Sequence, residues 1–593
     1  MIKQILIGII AFLAYSTLLT AQIDYDIIPE VTTTILINDV HIQKTPKDSF
    51  GLGDILIENG NIKEISRNIT PPYNAKVIEA DSAYAYAAFI DPMSHTGIPR
   101  PENSRDRPEV KFPGHPPNAV AGITPEKRAI EQIDAKEGSI KSLREAGFAI
   151  VHAFPRGRML PGSGSIISLH GDSPEEMLLM DNSAMYFQLQ GSRGFYPSTV
   201  IGVMAKWRDL YRKSSYLNEH QNLYKRNTLG TERPKSDKSV EALIPVSSGD
   251  MPVFMKVEKS KDIFRALALQ KDLGYNLVIG GVKQITPVMS KLKSSNVSVL
   301  LSASLPKADK KDEAEMGKKK AKKAKKGDKM KDKMKDGEPK EKMMKGKEKA
   351  LKEAKEKEDD PEVKALKARK KASYETYVGQ AGMMEKEGVP FAFSMMGAKT
   401  KELKPNLMKM IEAGLSKEAA LAALTTNPAK IIGVDRVAGT LEKGKFANIM
   451  ISDKPYFDKE STIKYVFVEG HMTEIKKKEK KKNSDGAASG DIGDAIVGTW
   501  SFEVEIPGQT QTGQMTISSD GKVEIESDDT PGDIDTAQDV NFEEDTLTFS
   551  ITIENGMELS FDLEFDGDSY EGTVAAGEFG SFPISGSKNS SPE

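Results

Sequence analysis

The chain has 593 residues, 38% of them hydrophobic, which is too many for one ordinary core and sets an expectation of roughly three or four domains. It contains no cysteine, which excludes disulfides, a lipoprotein cysteine and thiolate metal sites. The formal net charge of −4 hides an asymmetry: residues 307–371 hold 27 Lys and Arg against 16 Asp and Glu, whereas residues 485–593 hold 25 acids and two bases, Lys522 and Lys588.

Residues 1–21 begin with Met1-Ile2-Lys3, run apolar from Ile5 to Leu19 and close with Thr20-Ala21, the pattern of a cleavable secretory signal. A membrane anchor is the alternative, but an apolar run of 15 residues falls short of the roughly 20 needed to span. Export to the periplasm or beyond is therefore expected, with no membrane span after cleavage. Residues 22–88 alternate β-rich runs with turn signals: Thr32 to Leu36, Asp54 to Glu58 before Asn59-Gly60-Asn61, Ile62 to Ile65, and Ala75 to Glu79. Such a segment makes half of a small sandwich.

From residue 89 to 434 the pattern changes. Strand-like runs at Phe148 to Phe154, Ala184 to Gln190, Pro252 to Glu258, Asn276 to Ile279, Val297 to Ser302 and Val389 to Met395 alternate with helical stretches. The helices expected are Pro125 to Ala146, Ser198 to Ser214, Lys261 to Leu273 and Lys417 to Leu424. Alternation over this length predicts an α/β fold, a TIM-like (β/α)8 barrel. Residues 306–372 interrupt it as a lysine-rich insertion with almost no apolar periodicity, too charged to fold alone although its Lys, Glu, Ala and Met favour helix locally.

Residues 435–475 return to β-rich sequence, including Tyr465-Val466-Phe467-Val468-Glu469-Gly470. A linker at 476–494 carries a second lysine run and leads into 495–593. There, short runs at Trp500 to Glu505, Gln514 to Ser518, Lys522 to Glu526, Leu547 to Ile553, Glu558 to Glu564 and Tyr570 to Val574 predict a separate, all-β C-terminal barrel.

Three stretches carry a family resemblance. Gly439-Thr440-Leu441-Glu442-Lys443-Gly444-Lys445-Phe446-Ala447, the helix Leu415-Ser416 to Leu421 with Leu424-Thr425 and Asn427-Pro428-Ala429, and Gly191-Ser192-Arg193-Gly194 with Tyr196-Pro197-Ser198 resemble the amidohydrolase superfamily, in its secreted, imidazolonepropionase-like branch. The resemblance covers about residues 30 to 475 outside the insertion. It implies that the strands of 22–88 and 435–475 form one composite β-sandwich flanking the barrel. Asn448 stands where the family usually has Asp. Gly498-Thr499-Trp500 resembles the start of lipocalin-like modules on secreted hydrolases.

The resemblance also implies a metal site, in which a bound water is made acidic by the metal and loses its proton to a carboxylate. The family's first barrel strand ends in Asp-x-His-x-His; here the corresponding residues are Asp91-Pro92-Met93-Ser94-His95, with Met93 replacing the first imidazole. A thioether is a weak ligand for zinc, manganese or iron. Where the resembling branch has His-x-His this chain has Lys256 and Glu258; where another histidine is expected it has Gly280 and Gly281; and Met396 aligns with the catalytic Asp. His95 alone survives. It could form a relic metal site with Glu258, though three protein ligands are normally needed even for an open site. Lys256 and Glu258, two apart on a strand, are expected to make a salt bridge instead.

The other histidines have simpler readings. His152 lies in an apolar strand, where a lone histidine is more often a hydrogen-bonded core residue than a ligand. Gly162-Ser163-Gly164-Ser165 reads either as an anion-binding run of backbone N–H groups or as a tight turn before Ile166 to Leu169. The lysine arm lacks interleaved aromatics, so a solvated arm is expected and no nucleic acid.

The leading expectation is a secreted amidohydrolase-like protein with a decayed metal site, a non-catalytic binding or assembly partner of a paralogous active amidohydrolase, with no cofactor and with a small-molecule ligand left open. One alternative is a hydrolase of C–N bonds in amides or cyclic amides that keeps a reduced site around Asp91, His95, His152 and Glu258 and uses zinc or another divalent metal. The other is ligand binding inside the C-terminal barrel.

Overall fold

A computed structural model describes residues 34–99, 110–306, 361–475 and 496–588, except 193, 296, 507–508, 529, 531, 544–545, 554–556, 567–568 and 577–580. The expected signal (1–21), most of the lysine-rich insertion and the linker (476–494) lie outside the described residues. Among the described residues no helix is long and apolar enough to cross a membrane.

Of strands β1 to β5 (Ile35–Gln43, Ser49–Glu58, Asn61–Ser66, Lys76–Glu79, Tyr84–Ala87), β2, β3 and β4 match the expected β-rich runs, β1 starts at the end of its run and extends beyond it, and β5 lies outside the expected runs. They do not close on themselves. β5 pairs with β14 (Ile449–Ser452), which pairs with β15 (Ile463–Val468) and β16 (His471–Glu474), so one sheet is built from both ends of the larger unit. Its apolar face packs Ile37, Val40, Ile55 and Ala85 from the first part against Leu441, Ile449 and Phe467 from the second. Asn448 supports the return: its Oδ1 accepts the Glu469 amide at 2.7 Å, at the turn where Glu469 has a positive φ of 50°.

The central sheet has eight strands in chain order: β6 (Phe89–Ser94), β7 (Phe148–Ala153), β8 (Gly162–Ser168), β9 (Leu178–Gln188), β10 (Val253–Lys256), β11 (Leu277–Val282), β12 (Ser298–Ser302) and β13 (Phe391–Ser394). Every neighbouring pair is parallel except β7 with β8 and β8 with β9. This corrects the regular (β/α)8 expectation. Only Phe154 to Pro161 separates β7 from β8, too short for a crossover helix, so the chain must turn back antiparallel. It also corrects the reading of Gly162 to Ser165, which is buried strand and neither turn nor anion cradle. Glycine is needed at 164 because a β-carbon there would lie 2.5 Å from Phe154 Cε1 and 2.7 Å from His152 Nε2.

Of the expected helices, Val200–Arg226, Ser260–Leu273 and Lys417–Leu424 are present. The helix expected at Pro125 to Ala146 is confined to Gly138–Glu145, preceded by a short turn at Ala129–Gln132. Residues 124–128 are drawn instead onto the segment from Leu160 to Ser163, Thr124 N donating to Leu160 O and Ser163 N to Lys127 O. The end of the charged insertion, Pro361–Val378, is helical, in line with its local composition.

The C-terminal unit is one antiparallel sheet of nine strands, β17 to β25: Gly498–Ile506, Gln509–Ile517, Val523–Ser527, Ile534–Thr536, Gln538–Glu543, Thr546–Thr552, Glu558–Asp566, Ser569–Ala575 and Ser581–Ser587. β17 pairs with β25, which curls the sheet into a barrel open only at the seam between β20 and β21. Its interior is filled by Trp500, Met515, Phe549, Phe561, Leu563, Phe565 and Tyr570, with Trp500 set edge-on to Phe565 and Tyr570 at 4.8 and 5.8 Å.

Candidate functional site

The ends of the parallel strands converge on the barrel mouth, and the deepest residues there are dry. β6 and β13 lie side by side at the end of the sheet with no ladder joining them among the described residues. Side chains close that seam. Asp91 Oδ1 accepts the amides of Met93 (3.2 Å) and Met395 (3.1 Å), and Ser394 Oγ donates to Met93 O at 2.6 Å. Asp91 is fully buried and its Oδ2 has no hydrogen-bond partner. Burial pushes its carboxyl up to about 7, against the opposite pull of the two amides.

Met93 has no exposure, and its sulfur fills the space beside Gly280: a β-carbon built on Gly280 would overlap Met93 Sδ. Gly281 follows with a φ of +70°, a conformation side chains rarely adopt. Met396 is buried opposite, its Sδ taking the Tyr186 hydroxyl at 3.7 Å. Burial, followed by the charge of Glu258, raises the Tyr186 hydroxyl well above its ordinary range and keeps it protonated. Thus Asp91, Met93, Gly280 and Met396 come together as a packed floor.

His95 stands above this floor, half-buried, its Nδ1 2.7 Å from Phe154 O and its ring edge-on to Tyr186. Lys256 reaches Glu258 only at 3.9 Å; the closer partner of Glu258 is Lys283 at 3.0 Å, which its sequence position did not reveal. All three side chains are partly exposed, so these pairs contribute little to stability. His152 is a core residue: Ser183 Oγ lies 2.8 Å from its Nε2, and its ring packs on Phe154 and Phe254. Burial holds it neutral, down to about 3; the Pro92 carbonyl opposes this without reaching hydrogen-bond geometry to Nδ1.

Over the floor lies a cavity of about 660 Å³. Its barrel side presents His95, Arg156, Gln188, Gln190, Lys256 and Met396; its far side presents Glu503, Glu564 and Ser587 from the outer face of the C-terminal barrel. Glu564 is held by Lys399 and Lys401, both in the loop and helix start after β13. Sequence reading missed Arg156, Gln188, Gln190, Lys399 and Lys401. A signal was there: Arg156 follows the first expected run after β6, Gln188 and Gln190 close the next, and the C-terminal end of a parallel strand is where such barrels place functional groups.

These residues do not fit a catalytic divalent metal. Met93 is a buried thioether whose sulfur takes the space beside Gly280, Met396 offers no carboxylate, and the buried carboxylate of Asp91 spends one oxygen on closing the barrel. Among the described residues no three His, Cys, Asp or Glu side chains gather closely enough to hold a metal.

A nearly closed barrel flanked, at the starts of β6 and β7, by a sheet built from both ends of the unit defines the class of the fold as amidohydrolase-like. It superposes on an amidohydrolase from Thermotoga maritima MSB8 with a TM-score of 0.55 and 19% identity, over 74% of this chain and 99% of that one. Residues 371–473, from the end of the insertion through β13 to β16, match the Amidohydrolase family. Molinate hydrolase (TM-score 0.39, 14% identity, 75% of this chain and 95% of that one) is a more remote similarity. So is a β-aspartyl dipeptidase from Fervidobacterium islandicum AW-1 (0.38, 11%, 76% and 100%). No curated protein matches the sequence.

Proposed function

We propose that this chain is an amidohydrolase-superfamily protein that binds rather than hydrolyses, its metal centre lost, and that it serves as a non-catalytic partner of an active relative. The observation that carries the reading is Met93: its thioether occupies the space a side chain at 280 would need, so two positions at which the family resemblance implies ligands are taken by one apolar group. Restoring a metal would require several coordinated changes. Export from the cytoplasm, read from residues 1–21, belongs to the same proposal.

One observation favours a second reading, a hydrolase with a reduced metal site: His95 does line the cavity. The third, ligand binding within the C-terminal barrel, has less support because aromatic side chains fill the interior. Metal analysis of the untagged protein by mass spectrometry, with His95→Ala as control, separates the first two. Metal-free folded protein in both samples is expected. Near-stoichiometric metal that disappears in the variant would overturn the proposal. Cross-linking in the source cells is expected to capture a paralogous amidohydrolase, and capture of none would remove the partner role.

A further inference from the structure

We propose that the cavity at the barrel mouth is a binding site for a small organic carboxylate, its charge met by Lys256 and Arg156. This rests on the binding role above and names the class of ligand. The cavity's size, about 660 Å³, lies in the ordinary range of small-molecule sites. Among the described residues, the charge of its lining is one-sided. Arg156, Lys256, Lys399 and Lys401 line it against Glu503 and Glu564, and Glu564 is engaged by Lys399 and Lys401.

Lys256 is the better placed cation. The carboxylate it would otherwise neutralise, Glu258, sits 3.9 Å away and turns its other oxygen to Lys283 at 3.0 Å, so the ammonium keeps donors for a ligand. Arg156 is anchored: its Nε donates to Ile98 O at 2.9 Å, which orients the guanidinium at the cavity wall and lowers the entropy lost on binding. Gln188, also anchored through Gly157 O, and Gln190 supply neutral polar atoms. Met395 and Met396, each at most 6% exposed, form an apolar end. Cations beside polarizable sulfur suit a carboxylate with an apolar body, whereas a phosphate would gain nothing from the methionines.

The test uses the whole protein and titration calorimetry with 4-phenylbutyrate, its uncharged isostere 4-phenylbutyramide, and inorganic phosphate. The carboxylate is expected to bind about tenfold or more tightly than the amide and more tightly than phosphate. Lys256→Gln and Arg156→Gln are each expected to weaken it about tenfold with the melting temperature and far-ultraviolet spectrum unchanged. The use of two variants guards against one that fails to fold. No carboxylate binding, equal affinity for acid and amide, a preference for phosphate, or indifference to both substitutions would each overturn the inference. Failure here with metal-free protein sinks the ligand class alone; metal in the protein sinks the underlying reading.

Discussion

The floor and the walls of the barrel mouth are built differently. On the floor, Met93 packs its sulfur against Gly280, Met396 is buried beside them, and Asp91 belongs to the seam between β6 and β13. Further out, the walls place Arg156, Lys256, Gln188 and Gln190 around an open cavity. The comparison teaches that chemistry and binding are separable at this mouth, because the first needs a metal at the bottom and the second only needs donors along the sides.

The strongest way to break the comparison is to reopen the floor. Gly280→Ala forces a β-carbon into the Met93 sulfur and is expected to cost about 3 kcal/mol in denaturant unfolding, while Met93→Ala costs about 2–5 kcal/mol through the cavity it leaves. The double variant should cost clearly less than the sum, since each change relieves the other. Additive costs would mean that the thioether does not fill the space at 280.

A pH series sharpens the same point. The Asp91 carboxyl keeps its proton to about pH 7 in the folded protein but loses it near 3.8 when unfolded, so the folded state binds more protons in between and its stability falls as pH rises from about 4 to 7. Asp91→Asn is expected to flatten that decline in melting temperature. His152 has the reverse sign. The unfolded imidazole takes a proton near 6.5 and the folded one only near 3, so stability falls as pH drops through that window. His152→Gln should remove this acid sensitivity, and a His152 variant with an unchanged acid limb would show that the ring is not held neutral by burial.

The smallest effect belongs to the roof. Glu564→Gln breaks the ion pairs to Lys399 and Lys401 and is expected to cost at most about 1 kcal/mol, an amount that added salt should reproduce in the parent. Limited proteolysis between the two units reads it directly. Equal cleavage of variant and parent would mean that these pairs do not hold the acidic barrel over the mouth.

Much of the molecule could be read from residue order. The barrel strands and the antiparallel C-terminal unit follow from apolar runs and turn residues, because hydrophobic patterning is a local property, whereas the joining of the two ends of the larger unit came from the family resemblance. Met93, Lys256, Gly280, Gly281 and Met396 drew attention through the family resemblance, and all but Met396, which follows β13, sit inside strands. The reversal of β8, the pairing of Glu258 with Lys283, the use of Asp91 and Ser394 to close the barrel, and the overlap of Met93 with the space at 280 were decided only by tertiary structure. So was the roof that Glu564 builds over the mouth. These are contacts between residues tens to hundreds of positions apart, set by which side chains the closed barrel forces into one volume, and packing of that kind leaves no period in the chain.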